Sequence, residues 1–181
     1  MRRILLISFL CLLAVATSGC KKQRLRAQLK ELMGSTIVLP EKITCVYNGE
    51  VYPMPDSLRR VPKQIVYIDS TECTTCRISH IEMYHTLFDF SRTNGSFEVV
   101  ILLSNVELNG IPLLKYLSDI AIEHPLYVDM ENVFPRLNPV VPEDHRMRAF
   151  LVNGQGHPVC IGDPASSDGM RDVFLDALNM L

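Results

Sequence analysis

Tryptophan is absent from this chain, and aromatic residues make up only 7% of it. Nor does it carry an excess of basic charge. The formal net charge is -2, which removes the electrostatic footprint that a nucleic-acid binder needs. No apolar run reaches the roughly 20 residues of a comfortable bilayer span. There is no glycine-rich phosphate loop, no Ser/His/Asp order that stands out, no internal repeat and no low-complexity segment. A second Cys-x-x-Cys is also missing, and a structural zinc site wants four ligands. What remains is a chain of 181 residues, 48% hydrophobic, with the composition of a globular domain.

The front of the chain carries an address. Arg2 and Arg3 precede the apolar run ILLISFLCLLAVA and then TSGC. A basic start, a short apolar stretch and small residues before a cut are the marks of a secretory signal. Ala16, Thr17, Ser18 and Gly19 ahead of Cys20 resemble the lipobox of bacterial lipoproteins. That resemblance implies a signal over residues 1–19 and acylation of Cys20 by palmitate-type chains. It also implies a membrane anchor, since several chains hold stably where one holds only marginally. Cys11 leaves with the signal. The mature chain of about 160 residues suits one domain. Without Arg2 and Arg3 it has 16 basic and 20 acidic residues, about -4. Lys21 and Lys22 give no acidic tract for surface export, which favours an outer-membrane lipoprotein facing the periplasm.

Periodicity organises the rest. Leu25, Leu29, Leu32 and Met33 recur at helical spacing in KKQRLRAQLKELM, so residues 20–35 read as a lipidated tether with a short helix. The domain then covers residues 36–181. Asn48-Gly49 between alternating arms predicts a hairpin. KQIVYID (63–69) is a β-branched strand. A long helix from Cys73 to Asn94-Gly95 follows, and FEVVILLSN (97–105) has the near-continuous apolar run of a buried parallel strand. A helix over 111–124, a strand at PLYVDM, and a proline-rich loop or short helix come next. Strands at MRAFLVN and HPVCIGD are joined by a turn at Gly154-Gln155-Gly156. A final helix has Ser167 as N-cap and Asp168 in its first turn. Strands alternating with helices predict an α/β fold with a mixed central sheet and helices on both faces.

The chemistry concentrates at YIDSTECTTCRISH. Cys73 follows a buried strand and begins a helix, where free N–H groups and the dipole stabilise a thiolate. Asp69 and Glu72 nearby push the other way, so the direction of the net shift stays open. In an exported chain, Cys73 and Cys76 can close a disulfide. The same residues spell Cys-x2-Cys-x3-His with His80. Cys76 and His80 share a helix face, and His145 or His157 could add a distant ligand for Cu(I) or zinc. Cys45 and Cys160 read first as small buried residues, with a third redox thiol or a Cys45–Cys160 pair as alternatives. Asp129 and Glu131 are candidate bases with nothing in the sequence to bring them to the cysteines.

Strand, CTTC at a helix start, the crossover to FEVVILLSN, and AFLVNGQGHPVCIGDP with its last helix resemble a thioredoxin-like protein. More narrowly, STIVLP, YIDSTECTTC and FLVNGQGHPVCIGDP are similar to the membrane-anchored thioredoxin-like lipoproteins of the Bacteroidetes. The resemblance covers about Thr36 to the C-terminus. It implies a thiol–disulfide oxidoreductase with Cys73 as nucleophile and Cys76 as resolving thiol. The partners it implies are exported proteins or small thiols that carry disulfides, and no cofactor or metal is expected. Two positions depart from the thioredoxin pattern. Met147 and Arg148 stand where a cis-proline precedes the strand AFLVN, the nearest proline being Pro142, and Glu72 replaces the tryptophan before the first cysteine. These departures motivate a second reading, a binding module with Cys73–Cys76 as a structural clip. Copper handling is the third.

Overall fold

The computed structural model describes residues 22–69, 81–104, 107–108, 111–120 and 122–181. Strands β1 (Thr44–Tyr47) and β2 (Glu50–Pro53) form the expected hairpin. Asn48 and Gly49 both have positive φ, 51° and 77°, the turn whose twist matches that of the flanking strands. Strands β3 (Lys63–Asp69), β4 (Glu98–Ser104) and β7 (Leu126–Val128) run parallel. Strands β8 (Ala149–Val152) and β9 (Pro158–Ile161) close the sheet antiparallel. The order across the sheet is β2-β1-β7-β4-β3-β8-β9, with a separate two-stranded ladder of β5 (Glu107–Leu108) and β6 (Ile111–Pro112). β4 lies between two parallel neighbours, which is why Val99–Ser104 is buried throughout.

Among the described residues, five helices cover the sheet: α1 (22–33), α2 (His85–Asn94), α3 (Leu113–Asp119), α4 (Phe134–Leu137) and α5 (Asp168–Leu178). Strand periodicity divides the core between them. Val66 and Ile68 of β3 pack with Leu87 and Phe88 of α2, Leu117 of α3 and Phe174 of α5. Ile65 and Tyr67 point to the other face, with Leu32 of α1 and Phe134 of α4. Full burial of a side chain such as Leu32 contributes about 1.5–3 kcal/mol, so the helix at the front is seated on the core rather than hanging from it.

The ends of the helices follow local chemistry. The hydroxyl of Ser167 accepts from the Met170 N–H at 3.2 Å, as its N-cap role predicts. Gly95, with φ 68°, closes α2 in the left-handed region and returns its N–H to the Ser91 carbonyl at 2.8 Å. The helix expected over 111–124 is shorter. It ends at Asp119, and Ile120 is already extended. Pro125 disfavours helical backbone at His124, and Ile120 and Ile122 add β-branched stiffness. The proline-rich stretch holds α4, with Pro135 in its first turn, and a 3-10 turn at His145–Met147.

Candidate functional site at the carboxyl ends of the parallel strands

Cys73, Cys76 and His80 lie outside the described residues, as does Cys20, and so does the expected first half of the helix that leads to Asn94. The frame around the cysteine segment is described on both sides. Asp69 ends β3, and a 3-10 turn at Ile81–Tyr84 leads into α2. Asp69 pairs in register with Ser104, the last residue of β4. Asp129 follows β7 directly, and its N–H donates to the Leu103 carbonyl at 2.9 Å. Three parallel strands therefore end in a row of polar residues on one face of the sheet, the end at which open α/β sheets place their ligands.

Each member of that row is held by its neighbours. Asp129 is 1% exposed, and its Oδ2 accepts from the Ser104 hydroxyl at 3.1 Å and the Phe134 N–H at 2.7 Å. Its Oδ1 and the Tyr67 hydroxyl are buried with no hydrogen-bond partner among the described residues. Burial pushes the Tyr67 phenol up from its ordinary range. Leaving such groups unpaired costs about 1–3 kcal/mol each, which marks this end as a polar interior not optimised for packing alone. The sequence offered both Asp129 and Glu131 as bases. Only Asp129 reaches this end; Glu131 is exposed and lies 3.9 Å from Lys42.

Met147 and Arg148 stand where the resemblance expects a proline, and the Arg148 side chain turns inward. The described residues contain no cis peptide bond. The side chain is 6% exposed, with Nη1 2.8 Å from Asp69 Oδ1 and Nε donating to the Pro142 carbonyl at 3.0 Å. The guanidinium also stands 5.8 Å from the centre of the Tyr67 ring. The Tyr67 N–H donates to the Arg148 carbonyl at 2.8 Å, so backbone and side chain together fasten this turn to the end of β3. Nothing in the sequence pairs Arg148 with Asp69. Its ion pair spans 79 positions of chain, beyond what periodicity can register.

Two further links complete the frame. The Tyr84 hydroxyl donates to Asp163 Oδ2 at 2.6 Å, which ties the turn after the cysteine segment to the loop after β9. A 540 Å³ groove runs between Leu25 and Leu29 of α1, the turn at Asp144–Met147, and Gly162 and Asp163. Helix α1 thus forms one wall beside the Arg148 turn.

The remaining sequence candidates fall elsewhere. Cys45 and Cys160 are buried free thiols, and burial raises both above the ordinary range. They sit on β1 and β9 with four strands between them, roughly 24 Å at ordinary strand spacing. A disulfide needs Cα atoms within about 7 Å, so the Cys45–Cys160 alternative is excluded. His157 Nδ1 lies 3.2 Å from the Thr36 hydroxyl and 3.2 Å from the Ser35 carbonyl, and His145 lines the groove. His85 Nδ1 and His124 Nε2 are 2.7 Å apart, a pair that the sequence did not signal. Among the described residues no group of three or more His, Cys, Asp or Glu side chains could hold a metal. None of the described helices is long and apolar enough to cross a membrane.

Neither a known protein family nor a curated protein matches this chain. Solved structures do. One, described as a thiol:disulfide interchange protein DsbE from Chlorobium tepidum, is 17% identical with a TM-score of 0.52, covering 80% of this chain and 98% of its own. Another, the reduced 2-Cys peroxiredoxin of Plasmodium vivax, is 16% identical with a TM-score of 0.51, covering 82% and 98%. With the strand order, the three parallel strands and the closing antiparallel pair already seen, this similarity gives the chain a thioredoxin-like fold, α/β with a mixed sheet and helices on both faces.

Proposed function

We propose that this protein is an exported, lipid-anchored thiol–disulfide oxidoreductase that works through Cys73 and Cys76. One observation carries the reading: in the sequence, CTTC begins four residues after the last residue of β3, a parallel strand of a thioredoxin-like fold. The chemistry is an exchange in which every electron pair has a destination. The Cys73 thiolate attacks one sulfur of a substrate disulfide and releases the other as a thiolate. The Cys76 thiolate then attacks the Cys73 sulfur, closes the Cys73–Cys76 disulfide and releases the second substrate thiolate. The substrate gains two electrons and the pair loses two; the reverse sequence oxidises a dithiol. Asp129, with one oxygen buried and unpartnered among the described residues, supports a proton acceptor for the resolving thiol.

The signal over residues 1–19 and the acylated Cys20 supply export and a membrane anchor, with the domain facing the periplasm from the outer membrane. Substrates are exported proteins or small thiols. In the full chain, Cys73→Ser should lower insulin-disulfide reduction at least a hundredfold. The pair should titrate between about -120 and -270 mV, the span of exchanging thiol pairs. Wild-type activity in Cys73→Ser sinks the catalytic assignment.

The buried Arg148–Asp69 pair favours a second reading. It stands at the turn where thioredoxins present a proline to substrate, as would suit a binding module with Cys73–Cys76 as a stable clip. A potential below about -300 mV selects that reading.

A further inference from the structure

At the opposite end of β3 a cation is buried beside an empty space. Lys63, the first residue of the strand, is 2% exposed. Its ammonium donates to the Arg59 carbonyl at 3.4 Å, longer than an ordinary hydrogen bond. No other hydrogen bond and no carboxylate reaches it among the described residues. Burial alone lowers its pKa to about 8. A buried charge without a counter-ion is among the costlier features a fold can keep.

Lys63 lines a 270 Å³ cavity, open to solvent on one side, bounded by residues 36–39, Arg59 and the turn between β8 and β9. The described lining residues include two cations and no Asp or Glu. The walls are apolar at Ile37, Ile65 and Val152, and Gln155 adds a side-chain amide, while the Thr36 hydroxyl already faces His157 Nδ1 at 3.2 Å. The turn is shaped around the neighbouring strand end. At Gly154 a Cβ would come within 2.6 Å of the Arg60 carbonyl oxygen, and at Gly156 within 2.5 Å of that of Ile37. The Arg59 guanidinium is committed to the carbonyls of Leu39, Pro40 and Glu41 at 2.7–3.1 Å and to Asp56 at 3.5 Å, so it contributes field rather than free donors.

We propose that this cavity binds a small monocarboxylate with a short apolar tail, its carboxylate against the Lys63 ammonium. One buried ammonium with one neutral donor matches a single negative charge. A phosphate dianion would need more donors than the cavity offers, and the apolar walls give a hydrocarbon tail somewhere to sit. The site lies at the amino end of β3, away from the cysteine segment, so it stands or falls independently of the redox reading.

The test uses butyrate as probe on the full chain in nonionic detergent, with 1-butanol and inorganic phosphate as controls, by titration calorimetry. Saturable butyrate binding is expected. Affinity should be at least tenfold weaker for both controls and at least tenfold weaker in Lys63→Met. Equal affinity in the variant, equal binding of butanol, tighter binding of phosphate, or no saturable binding overturns the proposal. A wild-type measurement guards against a variant that folds poorly. Acetylation of Lys63 by limiting acetic anhydride, read by mass spectrometry against exposed Lys42, should slow at least fivefold at saturating butyrate, and an unchanged rate is equally fatal.

Discussion

Replacing Lys63 by methionine should make this protein more stable, and the gain should vanish at alkaline pH. The lysine pKa falls from its ordinary 10.5 to about 8 in the folded state because burial disfavours the charge. Between those values the unfolded chain holds a proton that the folded chain lacks, so stability rises with pH through that window. Below about 8 both states are protonated and the burial penalty is present in full. A shift of about 2.5 units at about 1.36 kcal/mol per unit sets that penalty near 3 kcal/mol. Methionine fills a similar volume without charge, and the weak bond to the Arg59 carbonyl is lost at a cost of about 1 kcal/mol. The net expectation is a gain of about 2 kcal/mol at pH 7, or roughly 4–8 °C in Tm for a domain of this size. Urea denaturation of both full-length proteins at pH 7, 8.5 and 10.5 checks it, and the difference between them cancels the titration of the tyrosines. A variant no more stable than wild type at pH 7, or a gain that does not shrink toward pH 10.5, would refute the account of Lys63 as an uncompensated buried cation.

Other outcomes follow from the polar frame. Arg148→Met should cost about 3–5 kcal/mol in urea denaturation, because it leaves Asp69 without the cation 2.8 Å away. Adding Asp69→Asn should recover part of that loss, and additive losses would show that the pair is not coupled. The pair of His85 and His124 makes stability sensitive to acid. Burial, and then the facing His85, hold the His124 pKa below 6.5. Its contribution is therefore complete above pH 6.5 and is lost as pH falls below that value. Urea midpoints between pH 7.5 and 5 should drop more for wild type than for His124→Gln, and parallel curves would remove the histidine from the explanation.

How much of this was readable in advance differs from element to element. Asn48-Gly49, Gly95 and Ser167 announced their turn and caps because those geometries depend on a few neighbouring dihedrals. The buried strands announced themselves as FEVVILLSN and KQIVYID, since a short, β-branched, near-continuous apolar run marks a buried strand without knowledge of its partner. The helix after β6 is shorter than its apolar spacing predicts, because that spacing continues past Asp119 while Pro125 acts backward along the chain. The pairing of Cys45 with Cys160 stayed open in the sequence and closed only when strand order put them at opposite ends of the sheet.

By itself the sequence determined the local and periodic features: the hairpin, the strand and helix types, the α/β class, and the CTTC that defines the candidate chemistry. These depend on interactions between residues near in the chain, or on patterns that repeat along it. Only the tertiary structure decided which distant residues meet. It brought Arg148 onto Asp69, Asp129 onto Ser104, His124 onto His85, and Lys63 into a cavity without a counter-ion. Charge pairing and burial depend on distances in space, and residues 20 to 120 positions apart leave no periodic trace of one another in a single sequence.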